Sequence, residues 1–347
     1  MANVTTIPAS GPANPQTEMG RIGLVLRDAL PWPQCRQVVE TAEETGYEAV
    51  FVPEIAGREA FVALTGFAAA ASAIRLGTGV VTIWARSPVT TAMAAASVQD
   101  LSKGRLILGI GAGTPAGPDA QDLTRRVGQL ELVRRYVDVV RRTLAGELMQ
   151  SRDPFDVAGF RLGLELTSGP PPIWLGALGD RMIALAGEVA DGVVLNWCTP
   201  ERVTEARSIL EGAAERAGRD RSAVTVAVYA RACLGVDETV ALAALRDMTG
   251  QYAAHPHYLA QLERMGLGDS GRAAASAREA GHPEDVPESL VRALAIVGGR
   301  AEAVAAFREF HEAGADLVLC YPVAAQEGFS SVLGTVLAAA PTPAVGR

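Results

Sequence analysis

The strongest pattern in the chain lies at residues 74–114, which read IRLGTGVVTIWARSPVTTAMAAASVQDLSKGRLILGIGAGT. It predicts a β-branched strand at 76–84, a helix at 88–101 and a second strand at 105–109. Ser87 is the expected N-cap of the helix. Because the second strand runs directly into a glycine-rich loop, the stretch is typical of a strand, helix and strand unit in a parallel α/β fold.

Glycines interrupt both strands of this unit. Gly77 and Gly79 lie within the first strand, where glycine usually marks a bulge or a close backbone approach. The loop at 109–113 reads GIGAG, and its missing side chains let backbone N–H groups approach an anion or a ring. A flat ligand is therefore expected here, although such a loop alone is weak evidence for one.

The same alternation of short strands and amphipathic helices continues along the chain. Besides 76–84 and 105–109, strands are predicted at 21–26, 49–53, 173–175, 192–196, 224–229 and 317–321. Eight such units fit either a (β/α)8 barrel or a doubly wound open sheet. In both folds the carboxyl ends of the strands form the functional site.

Residues 239–299 are too many for one strand and helix unit. A helix is predicted at 239–252, and the polar, glycine-containing sequence at 266–288 is predicted to be a loop. Loops of this length in compact domains are usually functional or disordered. Residues of about 251–287 are therefore expected to form a lid-like insertion over the site.

The composition limits the partners of the chain. Its 347 residues are 49% hydrophobic and 20% charged, with a net charge of −8. An acidic chain without a basic patch does not attract nucleic acid or an anionic membrane. No apolar run approaches the roughly 20 residues that a membrane-spanning helix needs. We therefore expect a cytoplasmic protein that acts on a small-molecule substrate.

The cysteines and the two ends of the chain also allow predictions. Four cysteines have no paired spacing of the kind that zinc or redox sites use, so we expect buried thiols and no metal site. Residues 1–19 lack the features of a signal peptide and are predicted to be a flexible tail. Residues 338–347, with two prolines, are predicted to fray. A single domain is expected at 20–337.

Several motifs resemble one family when they are taken in order. They are LGTGV at 76–80, RSP at 86–88, GRLILGIGAG at 104–113, GALG at 176–179 and DGVV at 191–194. Through them the chain is similar to the bacterial luciferase-like flavin monooxygenases. It is most similar to the branch that uses the deazaflavin coenzyme F420, such as methylenetetrahydromethanopterin reductase. The resemblance implies an α/β fold, a (β/α)8 TIM barrel with insertion segments.

The resemblance also implies a cofactor site. The peptide bond between Gly79 and Val80 is expected to be cis and to lie behind the ring, with an ordinary trans bulge as the alternative. The N–H groups of Ala177, Leu178 and Gly179 are expected to bind the phosphate, unless they form only a plain turn. The cofactor-binding residues implied in this way are Gly79, Val80, Gly111, Ala112, Gly113, Thr114, Gly176, Ala177, Leu178, Gly179 and Asn196.

Three of the polar residues have two interpretations each. Thr114 and Asn196 match family positions that touch the ring edge or the tail, although either is also typical of a turn. Glu54 follows the second strand, where family members that oxidise alcohols carry a histidine. It is the candidate catalytic residue, which would orient a substrate or relay a proton, and its alternative role is to cap the next helix. The missing histidine favours reduction.

Four further side chains are candidates for substrate contact, namely Trp84, His255, His257 and Tyr258. Trp84 ends the third strand and could form a wall of the pocket, but a large aromatic residue there is as often part of the core. The two histidines lie in the predicted lid. A histidine in such a loop is more often simply exposed to solvent and has no specific role.

The resemblance thus implies an F420-dependent oxidoreductase that transfers a hydride between the deazaflavin and a small organic substrate, with reduction as the favoured direction. One alternative is an FMN-dependent monooxygenase that uses oxygen and a partner flavin reductase. A second is a non-catalytic flavin-binding protein. Because family members often form dimers through their barrel helices, a homodimer is expected.

Overall fold

Eight parallel strands close into a barrel in the computed structural model, which describes residues 18–27, 30–115, 117–152, 154–325 and 328–342. In chain order, the strands of this part are β1 (Ile22–Val25), β2 (Ala49–Val52), β3 (Arg75–Thr78), β4 (Val81–Thr82), β5 (Leu106–Gly111), β6 (Met149–Ser151), β7 (Val157–Phe160), β8 (Ile173–Ala177), β9 (Gly192–Leu195), β10 (Thr225–Leu234), β11 (Ala295–Gly298) and β12 (Leu317–Pro322). The order around the barrel is β1, β2, β3, β5, β8, β9, β10 and β12, and β12 pairs with β1 to close it.

The remaining strands extend this arrangement. β4 pairs with β5 and β11 pairs with β10, both in parallel, whereas β6 and β7 form a separate antiparallel pair. The sequence pattern left a barrel and an open sheet equally possible. The closed order of strands confirms the (β/α)8 barrel that the family resemblance implies.

Helices pack around the outside of the barrel. In the same order they are α1 (Trp32–Glu44), α2 (Ala60–Ala70), α3 (Pro88–Leu101), α4 (Gly117–Val127), α5 (Gln129–Leu144), α6 (Asp180–Val189), α7 (Pro200–Arg216), α8 (Glu238–Ala253), α9 (Pro256–Arg264), α10 (Gly268–Glu279), α11 (Glu288–Leu294), α12 (Arg300–Glu312) and α13 (Phe329–Ala338). Across the described ranges, none of these helices has the length and apolar character needed to cross a bilayer.

The unit at residues 74–114 has the predicted order, with one difference. α3 has the predicted bounds, and the Ser87 Oγ accepts a backbone N–H at 3.1 Å, as expected of an N-cap. The strand predicted at 76–84, with an interruption at its glycines, is divided into two strands and ends earlier, at Thr82. The chain forms β3 and β4 with Gly79 and Val80 between them, because β3 pairs with both β2 and β5 whereas β4 pairs with β5 alone.

Alternate residues of the strands fill the interior of the barrel, as in other barrels of eight strands. The largest of them are the aromatic residues Phe51, Trp174, Tyr229 and Tyr321. Phe51 and Trp174 stack with their ring centroids 5.6 Å apart. A Cβ on Gly77 would overlap the Phe51 ring, so this strand glycine leaves room for the aromatic interior.

The prediction of a loop at 266–288 is wrong, because this part of the insertion is mostly helical. α9 and α10 follow α8, between β10 and β11. Leu245, Leu262 and Ala274 belong to a small core that these helices share, apart from the main one. Gly271 allows α10 to approach α9, since a Cβ there would lie 2.8 Å from Leu262 Cδ1. The small residues therefore serve close helix packing.

The predicted fraying at the C-terminal end is wrong for 338–342. Ala339 and Ala340 are fully buried. The Thr342 N–H donates to the Thr45 carbonyl at 3.1 Å, which attaches the end of the chain to α1. This segment packs because α13 brings it back against the barrel.

The predicted N-terminal tail at 1–19 ends earlier than expected. Met19 is buried and belongs to the main core. Residues 1–17 and 343–347 lie outside the described part of the chain, and the tail predictions for them stay predictions.

The prediction of buried cysteines is confirmed. Cys35, Cys198, Cys233 and Cys320 are all buried free thiols. Burial raises the pKa of Cys198 and of Cys320 to about 12, and that of Cys233 to about 11. These three side chains are therefore protonated at neutral pH and behave as small apolar residues.

The substitution Gly109→Ala is expected to destabilise the barrel, because its Cβ would overlap the Thr78 carbonyl oxygen. Overpacking of this kind typically costs about 1–3 kcal/mol, and a backbone atom cannot rotate away. We expect the free energy of unfolding, measured by urea denaturation, to fall by at least about 2 kcal/mol. Gly163→Ala is the matched control, since nothing lies within 4 Å of its added Cβ. Equal stability of the two variants would contradict this account.

Candidate active site

The carboxyl ends of β3, β5, β8, β9 and β10 surround a cavity of about 1310 Å³. The lining includes all eleven residues that the sequence analysis assigns to cofactor binding, at 79–80, 111–114, 176–179 and Asn196. His257 and Tyr258 reach the same cavity from α9. The structure thus brings these residues together, and their roles in binding stay predictions.

The floor of the cavity consists of glycine backbone and one valine side chain. The peptide bond between Gly79 and Val80 is cis, the form implied by the family resemblance. A Cβ on Gly111 would overlap the Val80 side chain, and one on Gly176 would lie 3.2 Å from it. The two glycines therefore make room for Val80 and contribute no side chain of their own to this surface.

Tyr229 supports this floor from across the barrel. Its hydroxyl donates to the Gly79 carbonyl, and burial raises the pKa of Tyr229 well above its ordinary value, so the hydroxyl stays protonated. A Cβ on Gly79 would overlap that hydroxyl. The sequence analysis missed this residue. Its alternation within a predicted strand indicated an inward side chain, but no local signal indicated the contact with residue 79.

One wall of the cavity is suited to an anion. α6 begins there, with Gly179 as its N-cap and no side chain that bonds its first N–H groups. Arg181 and Arg264 line the same wall, and neither has an ion-pair partner in the part of the chain that the structure describes. Arg202 binds the nearby Asp180. Free N–H groups at a helix start and two unpaired guanidinium groups together favour phosphate binding.

Asn196 offers a polar contact at the side of the cavity. Its Nδ2 donates to the Tyr258 hydroxyl at 3.0 Å, whereas its Oδ1 is buried and has no hydrogen-bond partner among the described residues. Burial raises the pKa of Tyr258 to about 12, so that hydroxyl also stays protonated. A buried acceptor without a partner is unfavourable, and a donor group on a ligand would satisfy it.

His257 stands at the mouth of the cavity. Its ring centroid lies 4.4 Å from that of Tyr258 and 5.8 Å from that of His255. Desolvation, and then the charge of His255, lowers the pKa of His257. Its imidazole is therefore neutral at pH 7 and can both donate and accept a hydrogen bond.

Glu54, the predicted catalytic residue, does not line the cavity. Its carboxylate accepts two hydrogen bonds from Arg86, at 2.5 and 3.0 Å. Arg86 also binds Glu59, the N-cap of α2, and the pKa of Arg86 is raised chiefly by its hydrogen bond to Glu54. The Ala60 N–H donates to Glu54 Oε1 at 3.5 Å. These contacts fit the alternative role at the start of α2, and a catalytic role stays a prediction.

Trp84 and His255, two of the four candidates for substrate contact, also lie outside the lining of the cavity. Trp84 packs against the main core, as its alternative interpretation expects. His255 is exposed, and its ring packs beside those of His257 and Tyr258, which do line the cavity.

The features of the cavity fit a ligand with a flat ring and an anionic tail. The glycine floor suits the ring, and the α6 wall suits the tail. Within the described ranges, no group of three His, Cys, Asp or Glu side chains could hold a metal ion. The glycine floor and the α6 wall match an organic cofactor that carries a phosphate.

Comparisons with known proteins agree with this geometry. A family model described as luciferase-like monooxygenase matches residues 9–317. A 5,10-methylenetetrahydromethanopterin reductase of Methanolobus tindarius is 34% identical over 204 residues, which are 58% of this chain and 61% of the relative. The reductase of the same name from Archaeoglobus fulgidus is 26% identical over 86% of this chain and 92% of the relative.

A solved structure shows the same fold. The coenzyme F420-dependent tetrahydromethanopterin reductase of Methanopyrus kandleri matches with a TM-score of 0.78 at 22% sequence identity. The match covers 93% of this chain and 99% of that one, so the barrel and its insertion have counterparts there.

The titration of His257 tests the electrostatics of the cavity mouth. We expect NMR signals of its ring to titrate below the ordinary histidine pKa of about 6.5, because the site disfavours the charged form. His255→Asn should raise the pKa only part of the way, since desolvation is the larger cause. His282 is an internal reference, because its hydrogen bond to Glu284 raises its pKa. Titration of His257 at or above the pH of His282 would contradict the account.

Proposed function

The chain belongs to the luciferase-like monooxygenase family, and on that basis we propose that it is an F420-dependent oxidoreductase. It transfers a hydride between the deazaflavin and a small organic substrate. The relatives from Methanolobus tindarius and Archaeoglobus fulgidus, both named as reductases, support an enzymatic role in the same class of chemistry.

The observation that carries this proposal is the combination of a flat floor and an anion-binding wall in one cavity. Gly79, Gly111 and Gly176 leave a surface on which a tricyclic ring can lie. Gly179 starts α6 at the wall, beside Arg264, which pairs with no acid of the described ranges, and a phosphate and an acidic tail would be neutralised there. FMN has the phosphate and a ring of the same width, but its tail is shorter and less acidic.

The protein contributes binding, orientation and exclusion of water, while a bound deazaflavin supplies the hydride chemistry at one ring carbon and reacts poorly with oxygen. Asn196 Oδ1 would accept a hydrogen bond at the side of the cavity, since none of the described residues donates to it. The protonated hydroxyl of Tyr258 can orient a ligand there. The pKa of His257 is lowered, so its imidazole is neutral at pH 7 and would face the substrate at the mouth.

Reduction of the organic substrate is the proposed direction. Glu54 occupies the place where alcohol-oxidising family members have a histidine base, and both of its oxygens are bonded by Arg86. A base that removes a proton from an alcohol is therefore missing at this position. We infer an electrophilic C=C or C=N acceptor as the substrate class.

Titration of the purified protein with F420, and separately with FMN, tests the proposal. We expect F420 to bind at least about tenfold more tightly, a difference of about 1.4 kcal/mol, as measured by fluorescence quenching or ultrafiltration. Gly79→Ala should weaken F420 binding by at least about tenfold, because its methyl group overlaps the Tyr229 hydroxyl at the floor. Gly163→Ala, with open space around its added Cβ, is the control and should bind normally.

Two other results of these experiments would support one of the two alternative functions. Tighter binding of FMN, with oxygen consumption in the presence of a flavin reductase, would replace the proposal with an FMN-dependent monooxygenase. Tight F420 binding without turnover of any C=C or C=N compound would favour a non-catalytic cofactor-binding protein.

Glu54→Gln separates a catalytic role of this residue from a structural one. If Glu54 orients substrate or relays a proton, kcat should fall by at least about tenfold while the affinity for F420 changes little. Glu59→Gln is the matched control, because it removes the other carboxylate that binds Arg86. Equal turnover in the two variants, with similar losses of stability, would restrict Glu54 to the ion pair.

A further inference from the structure

Arg231 is a buried cation without an acceptor in the described part of the chain. Its side chain, on β10, is 1% exposed. Its Nε, Nη1 and Nη2 atoms are all buried and have no hydrogen-bond partner among the described residues. An arginine stays charged in proteins, and a buried charge without a partner is strongly unfavourable. The described residues thus leave this charge without an acceptor, which an anionic ligand would supply.

Three aromatic rings surround this guanidinium group. Its Cζ lies 3.7 Å from the ring centroid of Trp197 and 5.0 Å from those of Tyr252 and Tyr321. The ring faces attract the cation but do not accept the hydrogen bonds that its N–H groups donate in their own plane. The Tyr321 hydroxyl and Trp197 Nε1 are also buried and have no partner in the part of the chain that the structure describes, and both can donate. We call Arg231, Trp197, Tyr252 and Tyr321 the Arg231 cluster.

The Arg231 cluster adjoins the cavity at the mouth of the barrel. Tyr321 packs edge-to-face on Tyr229, with centroids 5.8 Å apart, and Tyr229 lines the cavity. Tyr252 packs in the same way on Tyr258 at 4.8 Å, and Tyr258 also lines it. Arg231 follows Tyr229 by two positions on β10, so both lie on the interior side of the strand. Two layers of rings therefore separate the guanidinium group from the cavity, first Tyr252 and Tyr321 and then Tyr258 and Tyr229.

A second arginine lies at the same mouth. Arg27 follows β1, which pairs with the strand that contains Tyr321. Arg27 is exposed and has no ion-pair partner in the described ranges. Burial raises the pKa of Tyr321 to about 12, and the charge of Arg27 opposes this rise, so Arg27 lies near enough to act on the Arg231 cluster. A second cation near the buried one favours the approach of an anion.

We propose that the Arg231 cluster binds the carboxylate of an anionic substrate whose reducible bond lies in the adjacent cavity. The planar guanidinium group donates two parallel hydrogen bonds, which match the two oxygens of a carboxylate and neutralise its charge. The rings of Tyr252 and Tyr258, which lie between the guanidinium group and the cavity, must move to admit this group. The reduction rests on the proposed function, whereas binding of the carboxylate does not require the cofactor.

Calorimetric titration with benzoate and with benzamide, its neutral isostere, tests the proposal. We expect wild-type protein, with and without bound F420, to bind benzoate at least about tenfold more tightly than benzamide. Arg231→Met should abolish this preference, and Arg231→Lys should retain part of it. Arg221→Met is the matched control, because it removes an exposed arginine that precedes β10 at the other end of the barrel. Its preference should equal that of the wild type.

The other outcomes of these measurements would contradict either the proposal for Arg231 or the proposed function. Equal affinity for benzoate and benzamide in the wild type, or an unchanged preference in Arg231→Met, would overturn the proposal and leave water as the acceptor. The melting temperature of ligand-free Arg231→Met should not fall, because the variant removes an unpaired buried charge. A large fall would assign Arg231 a purely structural role. Absence of F420 binding in the wild type would overturn the proposed function and leave the benzoate result valid.

Discussion

The close approach of four strands around Val80 is the constraint on which the site depends. Gly109, Gly111 and Gly176 stand where a side chain would meet the Thr78 carbonyl or the Val80 side chain. Because these positions have no Cβ, the backbones of β3, β4, β5 and β8 can come together and leave a flat floor at the mouth of the barrel. The polar groups then meet at its edges, where parallel strands end.

Arginines that form ion pairs and arginines at the barrel mouth lie in different parts of the structure. Its net charge is −8, and typical arginines of the described part, such as Arg86, are paired with acids. At the barrel mouth, however, Arg27, Arg181, Arg231 and Arg264 have no ion-pair partner in the described ranges. Salt screens exposed charges over about 8–10 Å, so a local cluster of cations can attract an anionic ligand despite the acidic surface elsewhere.

Local sequence signals predicted the elements whose contacts are close in the chain. The N-cap at Ser87 and the alternating strands depend on neighbours a few residues away, and the carboxyl ends of parallel strands must converge, so one cavity could be foreseen. Contacts between distant residues could not. Tyr229 meets Gly79 across 150 positions, and Glu54 meets Arg86 across 32. The glycines and alanines of α10 predicted a loop, because the close packing that stabilises this helix depends on contacts with α9.

A crystal structure of the protein with oxidised F420 tests the central claim most directly. The account predicts that the ring lies on the floor at Gly79 and Gly176, and that the phosphate accepts hydrogen bonds from the N–H groups at the start of α6. A cofactor bound outside this cavity, or a ring that makes no contact with Gly79, would contradict it.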